Sequence, residues 1–134
     1  MKKLKILLLV LTAVMALSLF TACNNDGGSI APVVITANDK SFTYENKTLL
    51  DYMSYLQDNG KLSFTVKDGM VTSINGKSNT TNSYWMLYTS DTENANADWG
   101  KYDNNGEIYG SATLGAETLA VKENYVYVWA YETF

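Results

Sequence analysis

The chain opens Met1-Lys2-Lys3-Leu4-Lys5, continues from Ile6 to Phe20 without a charge, and then sets small Thr21 and Ala22 before Cys23. This opening constrains everything after it. A helix needs about 20 apolar residues to span a bilayer, and the run is shorter than that. A basic start, a short apolar stretch and a small-residue break are the marks of a signal segment removed on export. Cys23 is also the only cysteine. What folds must therefore come from the residues after it, and no second thiol exists to staple them.

Leu19-Phe20-Thr21-Ala22-Cys23 resembles the lipobox of bacterial lipoproteins. The resemblance implies cleavage before Cys23, a thioether lipid on its sulfur and acylation of the new N-terminus, with palmitate as the expected kind of fatty acid. It also implies a lipid-anchored place on the extracytoplasmic side of a bacterial cell membrane. The expected organisation is a signal peptide over 1–22, a lipidated cysteine and flexible tether over 23–32, and one domain over 33–134. Asn24 to Ala31 is small and polar, as a tether should be, and Pro32 marks its end.

Three of the 10 lysines and none of the 14 acidic residues precede Cys23, so cleavage takes the net charge from −4 to −7. An acidic surface disfavours nucleic acid and anionic lipid headgroups as partners, because both are met with Lys and Arg. Histidine and arginine are absent. Ser-His-Asp and Cys-His catalysis, His-based zinc sites and arginine clamps are thereby removed. No metal site, cofactor or enzymatic activity is expected.

Val33-Val34-Ile35-Thr36 and Ser41-Phe42-Thr43-Tyr44 are β-rich runs around a turn-rich join, a predicted hairpin. Thr48-Leu49-Leu50-Asp51 carries a capping-box pattern. Leu49, Met53 and Leu56 follow at helical spacing with Tyr52 beside them, and Asn59-Gly60 supplies the stop, so a helix is predicted over 48–58. Lys61 to Val66 alternates, Asp68-Gly69 turns, and Val71 to Ile74 returns. Lys77 to Asn82 reads as a polar loop. Tyr84 to Tyr88 reads as a strand with Trp85 and Leu87 on one face. Ser90 to Gly106 reads as a long polar loop, and such loops in compact domains are usually functional or disordered. Tyr125 to Glu132 is the predicted last strand, with Val126, Val128 and Ala130 turned to the core and the aromatic side half exposed. The expected fold class is α+β: a β-grasp-like mixed sheet with one helix packed across it.

Trp85 and Trp129, both mid-strand, read as core. Trp99, Tyr102 and Tyr109 lie in or beside the long polar segment, and with Tyr84 they are the expected ligand-binding rings, since flat aromatic faces stack on flat ligands. Asp91, Glu93, Asp98 and Asp103 match no calcium loop and read as solvated charge.

Four blocks, Thr48 to Met53, Val71 to Gly76, Ser83 to Tyr88 and Val126 to Tyr131, resemble those of the transcobalamin C-terminal-like domain, a domain of unknown function found in bacterial surface proteins and lipoproteins. The resemblance covers roughly residues 33–132. It implies a β-grasp that binds a soluble ligand, with cobalamin as the specific candidate. Two features depart from the family pattern: the length of Ser90 to Gly106, and Lys122-Glu123-Asn124 where a Gly-Asp turn is usual. The expected function is a membrane-anchored, non-enzymatic binding module for a small molecule. The alternative is an adhesion or structural module for protein or glycan.

Overall fold

A computed structural model describes residues 30–134, and residues 31–134 form one compact unit. The expected signal segment, Cys23 and most of the tether lie outside the described residues. Among the described residues the fold is α+β: one α-helix, and strands whose ladders are all antiparallel. The strands are β1 (Val33–Thr36), β2 (Phe64–Lys67), β3 (Met70–Ile74), β4 (Lys77–Ser78), β5 (Ser83–Thr89), β6 (Ala95–Asn104), β7 (Glu107–Ala112) and β8 (Val126–Thr133). They make a five-stranded sheet in the order β1-β8-β5-β7-β6 and a three-stranded sheet in the order β2-β3-β4. Among the described residues no helix is long and apolar enough to cross a membrane.

Helix α1 spans Leu49–Asp58 and starts at the predicted place. Thr48 Oγ1 accepts from Asp51 N–H at 3.3 Å, and the Asp51 carboxylate accepts from Thr48 N–H at 2.8 Å. Two further N-terminal donors, which a helix cannot satisfy by itself, are met by a distant segment. Leu49 N–H donates to Leu119 O and Leu50 N–H to Ala116 O. The helix thus docks on residues 115–121 by hydrogen bonds as well as by packing. Leu49, Tyr52 and Met53 are buried, and Leu56 is half-buried against the same core.

Four expectations change. The mixed sheet is antiparallel throughout the described residues. Ser41 to Tyr44 forms no strand: β1 pairs with β8, Val33 opposite Trp129 and Thr36 opposite Val126. The reason lies in the rings. Phe42 packs edge-on against Tyr44 and Tyr52, at 5.0 and 4.9 Å between centroids, so this stretch wraps onto the helix instead of returning along β1. Lys77 and Ser78, expected in a loop, add a short strand to β3. Finally, Ser90 to Gly106 is not a long loop. Residues 101–104 pair with 107–110 across Asn105-Gly106, both at positive φ, the geometry of a two-residue hairpin turn, and Ala95 and Asn96 pair again beyond a register break. The polar residues suit that hairpin because no residue of β6 is buried.

The faces of β8 also differ from expectation. Tyr127 and Trp129 belong to the main core, with α1, Trp85, Leu87 and Ile74. Val128 and Ala130 are buried on the opposite face under Tyr88 and Tyr109, with Tyr102 packed against them. Both faces are covered, and the aromatic face is the main core. Within the hairpin, β6 folds closely over β7 because Gly110 has no side chain: a Cβ there would lie 3.0 Å from Ala97 N.

Met53→Ala should lower the unfolding free energy by about 2–5 kcal/mol, the usual range for emptying a fully buried site. Val66→Ala, on the exposed side of β2, should stay within about 0.5 kcal/mol. Urea unfolding followed by circular dichroism compares the two, and similar losses would place the helix against the wrong surface.

Candidate functional site

The four expected rings do not form one site. Trp99 is 67% exposed on β6. Tyr109 is buried and its hydroxyl donates to Glu107 Oε2 at 2.8 Å. Tyr102 lies half-buried beside Tyr88, 5.7 Å between centroids. Tyr88 donates to Glu132 Oε1 at 2.7 Å. Burial first, and then the neighbouring carboxylate, raise the pKa of both Tyr88 and Tyr109. These phenols are structural cover for the sheet, with their donors already spent on carboxylates. Tyr84 is more open. Its ring sits 6.2 Å from Phe134, and its hydroxyl donates to Thr81 O.

A different place has the shape of a binding site. A largely apolar cleft of about 350 Å³ opens between the β2–β3 turn and the segment that follows β7. Gly69, Met70 and Val71 stand on one side, and Ala112 to Ala116 on the other. Trp85 and Leu87 of β5 and Trp129 of β8 also line it, and Tyr84 is the one expected ring that does. Two apolar side chains of the lining stay open to solvent: Met70 is 64% exposed and Leu114 44%. Among the described residues no charged side chain lines the cleft. Beside it, a Cβ on Gly69 would collide with the Glu117 carboxylate, and the Lys77 ammonium lies 5.1 Å over the ring of Tyr131, which packs edge-on against Trp85.

The two indoles of the cleft differ. Trp85 Nε1–H donates to Lys77 O at 2.8 Å. Trp129 is only 5% exposed, and its Nε1–H, itself shut off from solvent, has no acceptor among the described residues. Native structures rarely bury a donor unpaired, since the loss costs about 1–3 kcal/mol. Sequence reasoning placed Trp129 in the core and had no signal for its free N–H, which depends on what the tertiary fold leaves beside it.

The acidic residues of the 91–103 stretch divide as well. Asp91, expected to be solvated, is 1% exposed. It accepts from Lys122 Nζ at 2.9 Å, from Asn94 Nδ2 at 2.9 Å and from Glu93 N–H at 3.2 Å. Glu93 shares the same lysine at 2.9 Å. Ser90-Asp91-Thr92-Glu93 carries a recognisable helix-start pattern, and Asp91 caps a single 3₁₀ turn, Thr92–Asn94. Among the described residues no group of three or more His, Cys, Asp or Glu could hold a metal ion.

Comparison with protein-family models, with curated proteins and with solved structures finds no match for this chain.

Burial opposes ionisation of Asp91, but the hydrogen bonds from Asn94 and Lys122 win, and its pKa is lowered. A depressed folded-state pKa stabilises fully above the unfolded value near ~3.9 and is lost as pH falls through the folded value. Asp91→Asn should therefore cost about 1–3 kcal/mol at neutral pH and flatten the loss of stability below about pH 4. Melting temperatures of both proteins between pH 7 and pH 2 test this; parallel curves would rule out an ionised Asp91. Trp99→Ala, at an exposed site, should leave stability within about 0.5 kcal/mol. A clear fall in its melting temperature would instead make Trp99 a structural lid.

Proposed function

We propose that this protein is a lipid-anchored, non-enzymatic binding module on the extracytoplasmic side of a bacterial membrane, and that its ligand seats in the cleft between the β2–β3 turn and the segment after β7. The anchor rests on the Leu19-to-Cys23 pattern behind a basic, apolar start. One observation carries the binding role: a largely apolar cleft, lined by two indoles, beside a Met and a Leu that stay open to solvent. Pockets that take small molecules are commonly concave, mostly apolar and supplied with few polar groups. The β-grasp reading of the fold belongs to the same proposal, and the single helix packed on one face of the sheet supports it. Cobalamin is the reference compound because the family resemblance points to it; the cleft volume suits one edge of so large a ligand.

The adhesion reading keeps one supporting observation, the indole of Trp99 standing in solvent on an edge strand. Exposed tryptophans favour contact with protein or glycan surfaces.

The two readings separate in one experiment. A ligand present at 100-fold its dissociation constant should stabilise the protein by about 2.7 kcal/mol. Met70→Asp and Leu114→Asp should each abolish that stabilisation and leave the unliganded melting temperature near wild type, since both side chains are exposed. If ligand binding instead depends on Trp99 and ignores Met70 and Leu114, the cleft is not the site. Fractionation of cells carrying Cys23→Ala checks the anchor: the variant should leave the lipid-modified membrane fraction, and an unchanged acylated mass would overturn it.

A further inference from the structure

We infer that the outer edge of β1 pairs with the same edge of a second copy of this chain, antiparallel and about a two-fold axis at Val34, so that two five-stranded sheets join into one. The inference is independent of the cleft.

β1 ends the five-stranded sheet, and among the described residues no strand pairs with its outer edge. That edge opens on a groove of about 650 Å³, lined by Val33 to Thr36 without a break and by Tyr52, Leu56 and Lys61. Backbone groups along a paired strand alternate between its two edges. Ala37 N–H donates to Tyr125 O and so looks to the β8 side. Val33 and Ile35 look the same way, and the groups of Pro32, Val34 and Thr36 look outward. All of these last three residues are exposed. Thr36 C=O is already engaged there: it accepts from the Tyr52 hydroxyl at 3.3 Å and from Asn38 N–H at 2.9 Å. The outer edge therefore offers Pro32 C=O, Val34 N–H and C=O, and Thr36 N–H. It lacks a donor at Pro32 and an open acceptor at Thr36.

A second copy meets this pattern group for group. With Val34 opposite the partner's Val34, each N–H donates to the other's C=O. Thr36 then stands opposite the partner's Pro32. Its N–H donates to that C=O, and its engaged C=O faces the residue type that has no N–H to leave unpaired. Pro32 is the only proline of the chain. Sliding the pair by two residues would instead set Val34 N–H against the engaged carbonyl. The side chains agree. Val34 is 45% exposed and gains its own counterpart across the axis, and β-branched pairs across antiparallel strands are favourable. Charge agrees as well. The groove holds Asp39 with Lys40 and Lys61, and a surface carrying both signs can meet itself, where a single sign would repel. So short an edge makes a weak interface, and the pairing uses it up, which stops further growth.

The test is disulfide formation by the full chain in intact cells that export it. In this register the two Val34 Cα atoms lie about 5.5 Å apart, within reach of a disulfide. The two Thr36 Cα atoms are offset by roughly 14 Å along the strands. Under mild oxidation Val34→Cys should give a homodimer severalfold more abundant than Thr36→Cys, than Ile108→Cys at an exposed site on β7, or than the unsubstituted chain. Equal yields at the three substituted sites would mean random collision and overturn the pairing. A yield highest at Thr36 would overturn the register. A Val34 disulfide to a different protein, identified by mass spectrometry, would give the edge to another partner and overturn the second copy. If Val34→Cys does not fold, the unsubstituted chain decides: its Val34 and Thr36 amide protons should exchange more slowly as protein concentration rises. Exchange at those amides that ignores concentration would overturn the inference.

Discussion

Strand β8 is paired on both edges and buried on both faces, and the rest of the architecture answers to that requirement. It runs between β1 and β5. Its Tyr127 and Trp129 look to one side and its Val128 and Ala130 to the other, and all four are buried. Covering a large apolar side chain contributes about 1.5–3 kcal/mol, and a chain with one cysteine has no internal disulfide to substitute for it. A single helix covers one face of a sheet. The second face needs another cover, which the β6–β7 hairpin supplies with Tyr102 and Tyr109 over Tyr88 and Val128. The tyrosines are suited to this place because their rings bury while their hydroxyls reach carboxylates at the rim, Glu107 and Glu132.

The entry to β8 is held by charge. Lys122 joins Asp91 and Glu93, which lie just after β5, to the turn that leads into β8. Its backbone N–H also donates to the hydroxyl of Tyr127 at 2.8 Å, so the same residue is tied to the core strand. Asp91 is nearly inaccessible, and a buried carboxylate persists only with such partners. At the other end of the core, the carbonyls of Ala116 and Leu119 close the first turn of the helix. Residues 113–125 thus serve as a strap that locks the helix and the central strand together while having no regular structure for most of their length.

The cleft opens where these covers meet. The β2–β3 turn approaches the start of the strap, and between them Trp85, Leu87 and Trp129 line an apolar space. Contacts around it are directional. Trp85 Nε1 is tied to the carbonyl of Lys77, Trp85 N–H to Asn79, and the Tyr131 hydroxyl to the carbonyl of Ser78. These bonds hold β4 and the loop after it to the main sheet and fix the indole of Trp85.

Local chemistry was legible in the chain by itself. The capping box at Thr48 and Asp51, the apolar spacing of Leu49 and Met53, the Asp68-Gly69 and Asn75-Gly76 turns and the alternation through Trp85 and Leu87 are all interactions between near neighbours in sequence, and each formed as read. The Asn105-Gly106 turn was missed inside the expected loop, because its flanking strand β6 is too polar to announce itself, with no buried residue along it. Pairing partners were not legible. β1 chose β8 over Phe42 and its neighbours because rings near in sequence found a better surface on the helix. Nor could the pattern tell which face of β8 carried the core, since valines and aromatics alternate and either side buries well. The burial of Asp91 and the lack of an acceptor for the Trp129 N–H among the described residues were decided only by the tertiary structure, because each depends on groups that meet from distant parts of the chain.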